Sequence, residues 1–495
     1  MLLYPSKDAY LRGSPQPLTL VVEDSVGDGF ELYRRIARPG IPSFLLESGG
    51  TTAHRTARYS FLGDNPYAIL TGTEQGTQLM ENGRPSHFSE PSYDKLFALM
   101  EDSRIAAPSG LPPFYGGAVG YVSYDWVRTI EFLPSLAAAD VDLPLLEFAF
   151  VDLVAALDHA DHRLYLIYCP PLSRFRSEPR EKLYREGCDR LAELEARFTR
   201  RIAALRPASD EALEFLPDQT RNAYTDRVRR CQHYIAAGDI YQANLSHRFT
   251  VKVPRGAAAP LRDLFPVVQY GRLRAVNPSP FSACLCFNDV ALVCSSPERL
   301  VRLRGRRADT RPIAGTRPRG NTAEEDRRLL AELLANSKER AEHLMLVDLE
   351  RNDLGRVCRY GSVRVDDFMT IEQYSHVSHL VSNVAGDLRS DVSGRDLIKA
   401  VFPGGTITGV PKIRCMHIIE ELEPTRRGPY TGALGYLSWN GELDLNILIR
   451  TMVLTNDHGY VQVGAGIVAD SDPDSEYDET LHKARAFFAA LGRTG

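Results

Sequence analysis

The chain has 495 residues, too many for one small core, and its 43% apolar and 25% charged residues are those of a globular protein that folds without staples. Its net charge of −5, with Arg and Lys spread among Asp and Glu, excludes a basic face for nucleic acid and a polybasic membrane anchor, which leaves a small ligand. Eight cysteines show no CxxC spacing, so they read as reduced thiols, with no disulfide framework and no zinc site.

The N-terminal "MLLYPSKDAYLRG" has no sustained apolar run, and the most apolar internal stretch, "LPLLEFAFVDLVAAL", is interrupted by Glu147 and Asp152. A cytoplasmic protein without a membrane span is expected. Up to residue 170, short β-rich runs such as "PSFLLES", "RYSFLG" and "RLYLIYC" alternate with Gly and Pro breaks, the pattern of many strands and few helices. Residues 174–205 carry a charged helical period, and the Pro-bearing "RPASDEALEFLPDQT" then marks a boundary. The expected organisation is an N-terminal domain over 1–215 and a second domain over 216–495.

Beyond the boundary, "TRNAYTDRVRRCQHYIAAGDIYQANLSHRFTVKV" reads as a helix ended by Gly238 and then a strand. Strands follow around 281–287, 291–294 and 300–303, with a helix over 322–345 and another from Lys338 that breaks near Arg356. The tail predicts a helix in "PKIRCMHIIEELE", strands in "YTGALGYLSW", "LDLNILIRTMVL" and "YVQVGAG", and a final helix in "DSEYDETLHKARAFFAAL". Strands cluster rather than alternate strictly with helices, so an α+β body with largely antiparallel sheet is favoured.

Two E-x-x-E pairs stand on these helices, Glu339 with Glu342 and Glu476 with Glu479. If their faces meet, four carboxylates converge and repel unless a cation lies between them, and Mg2+ suits such oxygen ligands. A single pair of this kind is more often a solvated helix face. Three glycine-rich stretches invite a phosphate reading, but "FPGGTITGVPK" lacks Walker spacing and "VGAGIVADSDPD" runs into a polar loop where a dinucleotide fold needs a helix. Around Gly464, Ala465 and Gly466, and around Gly315 and Thr316 in "RPIAGTRPRG", backbone N–H groups could meet a small anion. Glu298, His379 and Arg450 are the acid-base and charge candidates, and no GxSxG or GxCxG elbow supplies a hydrolytic nucleophile.

"PIAGTRPRG", "SPERL", "AEHLMLVDLERNDLGRV", "YSHVSHLVSNV", "FPGGTITGVPKIR" and "DETLHKA", in that order, resemble component I of the chorismate-utilising enzymes, the aminodeoxychorismate and anthranilate synthases. The resemblance runs almost continuously from Thr220, and "LLES" with "RYSFLG" carries it into the first half. It implies a chorismate-binding fold: a two-part α/β body of packed, largely antiparallel sheets with helices outside and the site between them. It also implies Mg2+ on Glu342 and Glu479, with Glu339 and Glu476 supporting, to receive the ring carboxylate of chorismate. The enolpyruvyl carboxylate falls to Arg450, Tyr430 and the amides around Gly464, Ala465 and Gly466, with Gly315 and Thr316 lining the pocket. Glu298 matches the general acid for departure of the C4 hydroxyl, and His379 the histidine of the later elimination, with Thr316 beside it.

Water-adding relatives carry a lysine base where this chain has Gln242, so the resemblance implies ammonia, delivered by a glutamine amidotransferase partner. Ala314 stands where many aminodeoxychorismate synthases have a nucleophilic lysine, which favours ortho amination to anthranilate. Against that, "QANLS", "GGTITG" and "NPSPFSA" are similar to the aminodeoxychorismate branch, which is the reading preferred on balance. "LLES" lines a tryptophan pocket in the family, which places Ser48 with Pro280, Phe281 and Ser282 around any bound amino acid.

Overall fold

The computed structural model describes residues 2–23, 28–49, 58–106, 108, 110–200, 213–252, 261, 263–373, 377–456 and 458–492. Its strands form two large sheets, and nearly all pairing is antiparallel. From edge to edge the first sheet runs Leu2–Tyr4, Leu18–Val22, Arg163–Tyr168, Leu153–Asp158, Tyr59–Asp64, Ser43–Glu47, Phe281–Cys286, Val290–Ser296, Thr451–Thr455, Gly459–Ile467, Gln242–Lys252 and Glu214–Pro217. The second runs Ile313–Pro318, Val377–Asp387, Arg307–Arg311, Arg299–Arg304, Leu443–Ile447, Ala433–Ser438, Gly117–Val122, Leu146–Val151, Ala68–Gly72, Thr77–Glu81 and Arg84–Phe88. Aromatic side chains fill the space between them. Phe61 of the first sheet meets Tyr436 of the second at 5.4 Å between ring centroids, and Phe114 packs edge-on against Phe61 at 5.6 Å.

The chain halves on either side of the expected boundary near 215, two parts of one body, share both sheets. Ser43–Glu47 pairs with Phe281–Cys286 in the first sheet and Gly117–Val122 with Ala433–Ser438 in the second, so each sheet runs unbroken from one chain half into the other. The two halves share their hydrogen-bond ladders, and neither can bury its edge strands alone. Residues 206–212 of the expected linker lie outside the described residues, and from Glu214 the chain forms an edge strand on Gln242–Lys252.

Two expectations are corrected. The helix expected over 322–345 is two helices, Ala323–Ala335 and Ser337–Gly355. Asn336 leaves the helical conformation, and its side chain accepts the Glu339 N–H at 3.1 Å, capping the second helix. The strand expected through "LDLNILIRTMVL" divides into Leu443–Ile447 in the second sheet and Thr451–Thr455 in the first. Its antiparallel neighbour divides likewise, into Val290–Ser296 and Arg299–Arg304. A two-stranded corner therefore passes from sheet to sheet. It is fastened by the Ile447 N–H on the Glu298 carbonyl (3.0 Å), the Ser296 hydroxyl on the Ile447 carbonyl (2.6 Å) and the Ser295 N–H on the Arg450 carbonyl (3.0 Å).

A buried ion pair ties the surrounding segments together. Arg427 donates to Glu423 (2.8 and 3.0 Å), to the Asn244 carbonyl of the first sheet (2.7 Å) and to the Ile407 carbonyl (2.9 Å), while Glu423 also accepts the Ser246 N–H (2.8 Å). Arg427 lies on the turn that leads into Ala433–Ser438 of the second sheet. Both side chains are at most 3% exposed, so removing one leaves the other charged and unpaired. Arg427→Met is expected to cost about 3 kcal/mol or more in urea unfolding, with part regained in Arg427→Met/Glu423→Gln. A single-variant loss no larger than that of a surface substitution would show that the pair does not hold the sheets.

Candidate active site

Glu298 and Arg450 sit at the two bends of the corner, where neither chain can follow either sheet. Glu298 is 6% exposed, and burial pushes its carboxyl up to about 7, against the Thr406 hydroxyl, the Ile313 N–H and the charge of Arg450. Arg450 takes φ 49°, a left-handed conformation that costs an ordinary residue about 1 kcal/mol. Burial lowers its pKa, the one opposing charge is Glu298, and no carboxylate stands within salt-bridge distance among the described residues. A desolvated guanidinium without a partner is a receptor for an anion.

His379 lies on Val377–Asp387, opposite Thr316 in the ladder, and its Nδ1 is 3.0 Å from the Thr316 hydroxyl. Burial and then the charge of Arg450 push the imidazole down to about 4, so it is neutral at pH 7 and able to take a proton. The ladder slips between Ala314 and Thr316, and Gly315 sits in the slip at φ +65°. A Cβ at Gly315 would lie 2.2 Å from Glu339 Oε2, so only glycine lets this strand approach the acidic helix.

The two E-x-x-E pairs do not present four carboxylates to one point. Among the described residues no three His, Cys, Asp or Glu side chains cluster as metal ligands do. Each glutamate has its own partner: Arg317 on Glu339 (2.6 Å), the Gln242 amide on Glu342 (2.9 Å), the Ser471 hydroxyl on Glu476 (2.6 Å) and Lys483 on Glu479 (2.7 Å). Both helices nevertheless border one strand, Gly459–Ile467. A Cβ at Gly466 would lie 3.8 Å from Glu342 Oε1, and Lys483 donates to the Gly464 carbonyl at 2.8 Å. The four offer only carboxylate oxygens, the donors a hard divalent cation takes, and Glu339 Oε2 is buried with no hydrogen-bond partner.

Tyr430 is 7% exposed, and a Cβ at Gly464 would fall 2.7 Å from its hydroxyl and 2.3 Å from Asn244 Oδ1. The Ala465 side chain packs into a core cluster with Leu245, Ile418 and Tyr477, so this residue can reach a ligand through its backbone alone. Thr406 and Asn244 border the site and escape the sequence reading. Thr406 lies in "FPGGTITG", a run that served as a family and branch marker and argued against a phosphate loop, without a role for the threonine itself. Ser48, Pro280, Phe281 and Ser282 line one cavity of about 400 Å³ between the sheets, with Glu47, Tyr436 and Arg299, the residue after Glu298.

A family profile described as chorismate binding enzyme matches residues 42–489. The chain belongs to the chorismate-binding enzymes. Among its relatives, aminodeoxychorismate synthase component 1 of Bacillus subtilis is 42% identical over 463 residues, 93% of either chain. Anthranilate synthase component 1 of Thermus thermophilus is 43% identical over 467 residues, 93% of this chain and 94% of that one. The crystal structure of anthranilate synthase component I from Streptococcus pneumoniae superposes with a TM-score of 0.75 at 34% identity, covering 88% of this chain and 93% of that one. Members of this family of near-equal identity to the chain thus carry two reaction names. No helix among the described residues is long and apolar enough to cross a membrane.

Because Glu298 has a folded-state pKa of about 7 against an ordinary 4.5, its contribution to stability is present below about pH 4.5 and is lost as pH rises through 7. Glu298→Gln should remove that loss, gaining up to about 3 kcal/mol on wild type between acidic and mildly alkaline pH in denaturant titrations. Parallel stability curves for the two proteins would mean that this carboxyl is not held protonated.

Proposed function

We propose that the chain is component I of an aminodeoxychorismate synthase, which aminates chorismate with ammonia released by a separate glutamine amidotransferase. The observation that carries the reading is the pair at the corner: a half-buried cation without a carboxylate partner beside a carboxyl pushed up to about 7. Arg450 and the Tyr430 hydroxyl would hold the enolpyruvyl carboxylate, and Glu298 would give its proton to the departing C4 hydroxyl. Gln242 supports ammonia over water as the nucleophile. Its amide donates to Glu342, and it has no basic atom with which to deprotonate water. Glu342 and Glu479, supported by Glu339 and Glu476, would hold Mg2+, whose charge offsets these carboxylates and seats the ring carboxylate.

The second reading is component I of an anthranilate synthase. Ala314 in place of a nucleophilic lysine and the neutral His379 favour it, since that reaction removes a ring proton and eliminates pyruvate. The sequence runs "QANLS", "GGTITG" and "NPSPFSA" favour the first. The 400 Å³ cavity around Ser48 and Ser282 would take an amino acid, with tryptophan the first candidate.

Purified protein with chorismate, Mg2+ and ammonium at alkaline pH is expected to yield aminodeoxychorismate. Anthranilate selects the second reading, and isochorismate or no turnover overturns both. Glu342→Gln is expected to abolish Mg2+-dependent turnover with an unchanged thermal midpoint, whereas a wild-type rate removes it from the metal site. Arg450→Met is expected to raise KM for chorismate at least about tenfold, as loss of a desolvated charge pair does. L-Tryptophan should raise the thermal midpoint, and no shift at millimolar concentration would dismiss it as the cavity's ligand.

A further inference from the structure

Two amide oxygens beside the site are left without a partner. Gln242 and Asn244 stand two residues apart on Gln242–Lys252, so their side chains leave the same face of the strand. The Gln242 amide nitrogen is engaged by Glu342 at 2.9 Å, which makes its oxygen the free end, and Oε1 is buried with no hydrogen bond among the described residues. Asn244 Oδ1 is buried and unpartnered in the same way. A buried acceptor without a donor loses its hydration and gains nothing in return, so two of them on one face call for an occupant.

Both side chains lean over the neighbouring strand, Gly459–Ile467, and each passes above a glycine. A Cβ at Gly466 would lie 2.5 Å from Gln242 Nε2, and one at Gly464 would lie 2.3 Å from Asn244 Oδ1 and 2.7 Å from the Tyr430 hydroxyl. The two glycines therefore make the room in which the amides lie, with Glu342 at one end and Tyr430 at the other. The backbone beneath is pinned. The Gln242 carbonyl accepts Cys415 Sγ at 3.1 Å, the Asn244 N–H donates to the Thr408 carbonyl at 2.9 Å, and the Asn244 carbonyl accepts Arg427 at 2.7 Å. Residues two apart on a strand are separated by about 7 Å, a gap that a small molecule bridges with two hydrogen bonds of about 3 Å each.

The atoms present select the occupant. Two uncharged oxygens accept hydrogen bonds and donate none, so they suit a small neutral donor. Chorismate brings carboxylates, which only accept, and its C4 hydroxyl is assigned to Glu298. Ammonia brings three N–H groups and a lone pair that has to stay free. A carboxylate in place of either amide would favour ammonium, whose lone pair is blocked by a proton.

We propose that Asn244, through Oδ1 and together with Gln242 Oε1, seats ammonia and sets the choice of nucleophile. The proposal rests on the amination reading. Two N–H groups held by these oxygens turn the lone pair away from them. That lone pair forms the C–N bond as the C4–O bond breaks, and the hydroxyl leaves as water with the proton of Glu298. The new ammonium nitrogen gives one proton to solvent, and solvent returns one to Glu298.

The test titrates ammonium chloride at fixed alkaline pH with chorismate and Mg2+ saturating, and then chorismate at saturating ammonium. Asn244→Ala is expected to raise KM for ammonia about three- to tenfold, the worth of one hydrogen bond, with KM for chorismate within about twofold. Its preference for ammonia over methylamine, which has one N–H fewer, should narrow by a similar factor, a readout that a purely structural role would not move. A raised KM for chorismate with an unchanged KM for ammonia would put the amide on a carboxylate of chorismate and overturn the seat, as would wild-type values of both. Should that variant fail to fold, Asn244→Asp keeps the shape and carries the test. Ammonium held on the new carboxylate is inert, so turnover at saturating chorismate is expected to fall at least about tenfold, and wild-type turnover overturns the seat. No aminated product from the wild-type protein removes the amination reading beneath, whereas aminated product with an unaltered ammonia KM in the Asn244 variants overturns the seat alone.

Discussion

The rest of this structure depends on two antiparallel strands that leave one sheet and enter the other side by side. A bend of that kind interrupts the ladder, so the backbone groups at Ser296–Glu298 and Leu448–Arg450 need partners other than regular strand neighbours. They find them in one another, through the Ile447 N–H, the Ser296 hydroxyl and the Arg450 carbonyl. The side chains released at the bends, a glutamate and an arginine, then face the cleft between the sheets. Chemistry placed here is held by both sheets at once and inherits the rigidity of each.

Desolvation does the remaining work. The same burial raises Glu298 and lowers both His379 and Arg450, so three side chains depart from their ordinary titration within one cleft. Maintaining such an arrangement requires strain to be offset elsewhere. Arg450 keeps a left-handed backbone because its carbonyl is tied to Ser295, and Gly315 occupies a ladder slip that a side chain would close. The buried Arg427–Glu423 pair joins strand, turn and loop around this cleft through five hydrogen bonds.

Much of this was legible beforehand. The antiparallel α+β class followed from clustered strand signals, and Glu298, His379 and Arg450 were already the acid-base and charge candidates. The E-x-x-E pairs did point to two helices that border one strand. Where each of their carboxylates points depends on local partners such as Arg317 and Gln242, which periodicity does not encode. The break at Asn336 was missed for a related reason, since a cap residue in the middle of a helical period looks like any exposed polar position.

The sequence by itself determined the family, the element types and the set of ionisable residues, because these depend on local period, local conformation and the order of short runs along the chain. Only the tertiary structure decided where strands change sheet, which carboxyls lose their water and which charges are left without a partner. Those properties arise from contacts between residues far apart in the chain, as between Glu298 and Arg450 or Gln242 and Glu342. Burial is a property of the packed whole, and it is burial that raises the carboxyl of one glutamate and lowers the pKa of one arginine.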